Sequence, residues 1–228
     1  MKKIGFIGAY DKIDFMLYVA KILTKLGKKV LVIDSTTIGK AKYIVPAISP
    51  ANTYVTEFEG IDVSVGLHSI EQLKRRLNVV ELPYDIALID IDIPECIETF
   101  GMQTEKNYFV TSFDIYSLKK GLDTFSNLSI PITLTKVLFS KSMSKEENAY
   151  LDHLSLGYKV MWAETRIYFP LSIEDQQAIM ENQKLAKINF KYLSDIYKDS
   201  LAYITEEILD DARGSDIKKT IKLIEKGA

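Results

Sequence analysis

Residues 1–34 read MKKIGFIGAYDKIDFMLYVAKILTKLGKKVLVID. The apolar run at 3–7 has the length of a buried strand. From 13 to 26 the apolar residues Phe15/Met16, Val19/Ala20 and Leu23 recur at helical spacing, and Gly27 sits where a helix stops. A second run, Val30-Leu31-Val32-Ile33, is continuously apolar, as in a strand covered on both faces. Strand, helix and strand in about thirty residues make a right-handed βαβ unit. This is the layout of a nucleotide-binding β-loop-α-β unit, but the loop itself, Gly8-Ala9-Tyr10-Asp11-Lys12-Ile13-Asp14, has one glycine and no Ser or Thr beside its lysine.

Working outward, 35–52 carries Pro46, Pro50 and several Ser and Thr and reads as irregular. Segments 53–58 and 61–65 flank Glu59-Gly60 as a hairpin. A helix is expected at 70–77, a buried strand at 85–90, a strand at 108–111 and an amphipathic helix at 115–128. A strand follows at 133–139. A polar helix at 144–154 opens like a capping box, with Ser144 three residues before Glu147. The last strand is expected to be short, 159–162, and the chain is expected to be helical from 172. There Leu193, Tyr197, Leu201, Ile204 and Ile208 form one stripe. Alternating strands and helices predict an α/β fold: a mostly parallel sheet with helices on both faces and a helical C-terminal end. Ligands of such sheets bind outside the carboxyl ends of the strands, which gathers the loops after Ile7, Ile33 and Ile89 around one crevice. The expected organisation is one domain, 1–214, and a C-terminal basic amphipathic helix, 215–228.

A chain of 228 residues, 47% hydrophobic and 26% charged, suits one large globular domain. A net charge of −2 argues against a nucleic-acid partner. One cysteine, Cys96, allows no internal disulfide and suits a reducing cytoplasm. No signal peptide and no spanning apolar run are seen, so membrane contact is expected to be peripheral. Cys96, His68 and His153 give no metal-ligand pattern, so no metal site is expected, and each histidine reads as standing alone. Lys74-Arg75-Arg76 reads as a solvated helix face.

The opening unit, with Gly27-Lys28-Lys29-Val30-Leu31-Val32-Ile33-Asp34, resembles the MinD/ParA group of P-loop ATPases. Pro83-Tyr84-Asp85-Ile86-Ala87-Leu88-Ile89-Asp90 is similar to that family's Y-D-x-x-I-I-D strand, and Tyr168-Phe169-Pro170 to its I-P-Y-D turn. The resemblance implies a P-loop NTPase-like fold. On it, Gly8, Lys12, Asp34 and Asp90 are what remains of a nucleotide site. The departures are as informative. Where the family has K-G-G-x-G-K-S/T, this chain places Tyr10 and Asp11, and Ile13 stands where a hydroxyl would ligate Mg²⁺. The family's second Asp after the second strand is replaced in Asp34-Ser35-Thr36, and no counterpart of its adenine-reading Asn stands near Phe139-Ser140-Lys141. Phosphate nest, metal ligand and water-positioning acid supply most phosphoryl-transfer catalysis.

These readings imply a non-hydrolysing localisation or assembly factor for a membrane-linked machine such as a pilus, secretion or transfer apparatus, with no cofactor. The alternatives are an active ATPase using ATP and Mg through an atypical loop, or a plain flavodoxin-like interaction domain. The family's face-to-face dimers imply a homodimer, with Tyr10 and Asp11 as interface candidates, within a membrane-associated protein complex. Lys12 by itself reads as a solvated lysine at a helix start. Asp34 and Asp90 read equally as metal or water holders and as turn caps. In the last segment Ile217, Ile221 and Ile224 share one stripe opposite Lys218, Lys219, Lys222 and Lys226. Contact of Ile217, Lys218, Ile221, Lys222 and Ile224 with anionic lipid is one expectation, and packing of the helix on the domain is the other.

Overall fold

A computed structural model describes residues 1–47, 53–100, 103–141, 145–211 and 213–227. Eight strands form one sheet: β1 (Lys2–Ile7), β2 (Val30–Asp34), β3 (Tyr54–Phe58), β4 (Ile61–Val65), β5 (Ile86–Ile91), β6 (Lys106–Ser112), β7 (Ile132–Ser140) and β8 (Val160–Pro170). Their order is β3-β4-β2-β5-β1-β6-β7-β8, parallel throughout except for the β3–β4 hairpin. The hairpin turns on Glu59 and Gly60, both at positive φ. That backbone matches the right-handed twist of the two strands.

Period-2 alternation sends strand side chains to two cores. Val30 and Val32 of β2 lie in one core with Ile4, Phe6, Ile86 and Leu88, and Leu31 and Ile33 lie in the other with Ala87 and Ile89. The first core is covered by α1 (Ile13–Lys25), α7 (Ile173–Leu185), α8 (Asp195–Ile208) and α9 (Gly214–Glu225). The second is covered by α3 (Ile70–Leu77), α4 (Pro94–Thr99), α5 (Ile115–Asp123) and α6 (Lys145–Leu154). The single turn α2 (Ala41–Ile44) interrupts the irregular stretch after β2. The predicted mostly parallel α/β architecture is therefore present, with eight strands rather than the shorter flavodoxin-like array.

Three local expectations differ. Strand β8 runs to Pro170, so Tyr168, Phe169 and Pro170 continue the sheet instead of turning. Phe169 is held there by a stacked contact with Phe139, ring centroids 4.9 Å apart. A register shift against β7 between Leu134 and Lys136 breaks the apolar alternation of β8, which hid its length. The helix α4 had no periodicity to announce it; it is one turn and a half started by Pro94. α5 ends at Asp123 and passes into turns. The Ser144 capping box lies outside the described residues.

The connection after β1 runs to α1 on one face, whereas those after its neighbours β5 and β6 run to α4 and α5 on the other. This divergence opens the crevice at the carboxyl end of β1. Gly8 begins the loop at φ +140°, and a Cβ there would lie 2.3 Å from the Val110 carbonyl oxygen of β6. Only glycine fits so close an approach.

At the other end of α1, Ile217, Ile221 and Ile224 of α9 are buried in the same core as α1 and α8. The stripe considered for lipid contact is thus covered by the protein's own helices, a burial worth roughly 5–8 kcal/mol before ordering costs. Lys218 pairs with Asp199 at 2.7 Å, and Lys222 lies on the exposed side with Leu223. Among the described residues no helix is long and apolar enough to cross a membrane. Ile217→Ala is expected to lower unfolding stability by about 2–4 kcal/mol through the cavity it leaves, with Lys222→Ala near neutral. Urea denaturation of the two variants measures the contrast.

Candidate functional site

The site grows from the register of three strands. Pairing of Phe6 with Asp90 and of Asp34 with Asp90 brings both carboxylates to the end of β1. The Gly8 N–H donates to the Ile91 carbonyl at 3.0 Å and fixes where the loop leaves the sheet. Five residues then return the chain to α1, whose N-cap is Lys12. This tight return turns the Lys12 side chain inward.

Lys12 is 2% exposed, and the solvated lysine expected from the sequence is not found. Its Nζ donates to the Gly8 carbonyl at 2.5 Å and the Tyr10 carbonyl at 3.3 Å, and it stands 2.7 Å from Asp90 Oδ1. Two carbonyls accept from the ammonium, and Asp90 Oδ1 faces it as a close ion pair outside hydrogen-bond alignment. Asp90, also almost fully buried, is the one formal charge opposite. Burial pushes the Asp90 carboxyl up to about 7; Lys12 opposes that shift, and the neighbouring Asp34 and Asp92 add to it.

Asp34 is buried and serves as a cap. Its Oδ1 accepts from the Thr36 amide at 3.1 Å and hydroxyl at 2.6 Å, and its Oδ2 accepts from the Ala41 amide at 2.7 Å. Short polar side chains at strand ends close turns in this way. Asp92 Oδ1 accepts from the Thr37 amide at 2.9 Å, and the Ser35 hydroxyl donates to the Asp90 carbonyl at 2.6 Å. The loop after β2 is therefore tied to β5 by the chain's own groups.

Tyr10 and Asp11 lie at the mouth. Tyr10 is half-buried, its ring 4.7 Å from Phe139, and burial pushes its hydroxyl up to about 12. Asp11 is exposed and forms an ion pair with Lys40 from the loop after β2. Cys96 is buried, and burial pushes its thiol up to about 11. His68, expected to stand alone, has its Nδ1 3.7 Å from Cys96 Sγ. Only the fold brings that pair together, because the two residues follow different strands.

This arrangement does not fit a magnesium nucleotide as it stands. The Lys12 ammonium is engaged, Ile13 offers no hydroxyl, and Asp34 and Asp92 are engaged by backbone amides. A phosphate would have to take Lys12 from Asp90 and leave a buried carboxylate unpaired, which is costly. Sequence reasoning placed Gly8, Lys12, Asp34 and Asp90 together, and the structure does bring them together. It missed Lys40, which reaches Asp11 and Asp14 by tertiary contact with no motif around it.

No protein-family model matches the chain, and no curated protein matches it by sequence. Solved structures do. The McdA–ATP complex of Cyanothece superposes with a TM-score of 0.58 at 12% identity, covering 93% of this chain and 98% of that one. MinD in the MinC:MinD complex of Aquifex aeolicus gives 0.56 at 11% identity over the same shares. A plasmid partition protein of Borrelia burgdorferi bound to AMPPNP gives 0.54 at 15% identity, covering 91% of this chain and 98% of that one. At such identities the likeness speaks of architecture, and it agrees with the sheet order and the helix-lined crevice described above. The chain has the fold of the MinD/ParA P-loop ATPases.

Proposed function

We propose that this chain is a MinD/ParA-like localisation or assembly factor that works without hydrolysing nucleotide, serving a membrane-linked machine of the pilus, secretion or transfer kind. The observation that carries the reading is the seating of Lys12. The ammonium that would meet a phosphate is instead bound to Gly8, Tyr10 and Asp90. Asp34 and Asp92 hold the neighbouring loop in place with no ligand. A loop fixed in this way presents one surface at all times. Tyr10 and Asp11 at its mouth are the residues we assign to a homodimer contact that needs no sandwiched phosphate. Peripheral contact with anionic lipid would use the outward lysines of α9, such as Lys222, because its isoleucines are buried.

A second reading has its own support. The Cyanothece McdA structure is an ATP complex and the Borrelia partition protein is bound to AMPPNP, and Lys12 at the start of α1 and Asp90 in β5 stand by the crevice where such folds take ligands. In that reading Lys12 swings off Asp90 to meet a phosphate, and the chain is an ATPase with an atypical loop.

Titration with a fluorescent ATP analogue and Mg²⁺ separates the two. The non-hydrolysing reading expects no micromolar binding to the wild-type chain. Micromolar binding that disappears in Lys12→Ala favours the ATPase reading instead. Sedimentation at micromolar concentration is expected to give the same dimer with and without Mg-ATP; a monomer that pairs only with ATP rejects the proposed dimer. The burial of Asp90, which Lys12 only partly offsets, also sets a pH signature. The Asp90 carboxyl titrates near 7 in the folded chain and near 3.8 when unfolded. Its contribution to stability is therefore full below about 3.8 and is lost as pH rises towards 7. Melting temperatures across that window are expected to show the decline in the wild type, and Asp90→Asn is expected to remove that part of the slope whatever its effect on the baseline.

A further inference from the structure

A crevice of about 330 Å³ lies between the 8–12 loop, Lys40 and α7, and neither Lys12 nor Asp90 lines it. Its size falls within the range of small-molecule sites. Four aromatic rings wall it: Tyr10, Phe15, Phe139 and Tyr197. The Tyr10 and Phe139 centroids are 4.7 Å apart, and those of Phe15 and Phe139 are 5.7 Å apart. Two polar groups among these rings have acceptor positions left over.

The first is Asp14. It is largely buried, and burial raises its carboxyl despite the Gln183 contact. Each of its oxygens accepts at 2.9 Å from the same Gln183 amide nitrogen, and the Lys40 ammonium stays 3.9 Å away. A carboxylate offers about four acceptor positions, so this one is under-used. The second is Tyr197. It is 2% exposed and lines the crevice, and its hydroxyl has no hydrogen-bond partner among the described residues. Burial raises its hydroxyl well above the usual range, and the nearby Asp14 carboxylate adds to that.

The mouth already shows what such a place attracts. Lys40 leans over it, paired with Asp11 and drawn towards Asp14, while remaining 42% exposed. Its ammonium is held at the rim and does not enter. Aromatic faces and a carboxylate together are the chemistry that binds organic cations.

We propose that this crevice is a receptor for an organic ammonium: an amine head on a short apolar stem. The head displaces Lys40 and completes the coordination of Asp14, and the Tyr197 hydroxyl faces it with an oxygen lone pair. The stem lies along the wall that the touching Tyr10 and Phe139 rings form. The source is either a free alkylamine or a lysine side chain presented by a partner protein. The site is separate from the Lys12–Asp90 pair, whose ammonium is already seated, so it stands whether or not nucleotide binds.

Calorimetric titration of the full chain with n-butylammonium and with Nα-acetyl-lysine amide tests it, with n-butanol as the uncharged control. Lys40→Ala is expected to bind both amines about tenfold tighter than the wild type, because the internal competitor is gone. Asp14→Asn in that background is expected to abolish binding, with the near-ultraviolet circular dichroism checked for an intact fold. Tyr197→Phe in the same background is expected to weaken binding severalfold and supplies the test should Asp14→Asn fail to fold. Tighter binding of the lysine amide than of butylammonium assigns the source to a protein side chain; the reverse order assigns a free amine. The proposal is overturned if Lys40→Ala takes neither amine, if n-butanol binds as well as butylammonium, or if affinity is unchanged when both Asp14 and the Tyr197 hydroxyl are removed.

Discussion

One ion pair organises this protein's crevice. Lys12 and Asp90 lie 2.7 Å apart with almost no water contact, at the point where the first strand of the sheet gives way to its first helix. Neither partner is tolerable there alone. An isolated buried charge costs several kcal/mol, whereas a matched pair with further hydrogen bonds is sustainable. The Gly8 and Tyr10 carbonyls supply those further bonds. The short loop, the glycine at its start and the inward lysine are thus parts of one solution. Gly8 allows the loop to pass against β6, and that path leaves the Lys12 side chain no outward route.

The same economy governs the neighbouring loop. Asp34 and Asp92 end buried strands, where a ligand would need their oxygens, and each instead holds backbone amides of residues 36–41. In a nucleotide switch, such a loop is the element that ligand contacts hold in one of two positions. Here internal bonds supply the hold, and the Lys40–Asp11 pair closes it against the first loop. The crevice has the architecture of the MinD/ParA ATPases, and its loops are bound to one another by the chain's own groups.

The fold was largely legible from residues, because its signals are strong and local. Continuous apolar runs such as Val30–Ile33 mark strands covered on both faces, and the spacing from Phe15 to Leu23 marks α1. Legibility failed where tertiary contact overrides pattern. β8 is interrupted by a register shift, so its second half resembled a turn until Phe169 was seen stacked on Phe139. The site was legible in membership and not in state. The alignment of motifs gathered Gly8, Lys12, Asp34 and Asp90, but the burial of Lys12 depends on the length of one loop and on a carboxylate 78 positions further along the chain, and neither has a local signature. Lys40, Asp14 and Tyr197 share a crevice only because α1, α7, α8 and the loop after β2 converge there.

The packing of α9 against α1 joins two regions that sequence order keeps far apart. Helix α1 is a rod thirteen residues long, capped at one end by Lys12 and gripped towards the other by the isoleucines of the final helix. Whatever pries that last helix loose, whether lipid, protein or a fused tag, loosens the far end of a lever whose near end seats the ammonium. One helix therefore carries the seat of the ammonium at its start and the contact of the last helix towards its end.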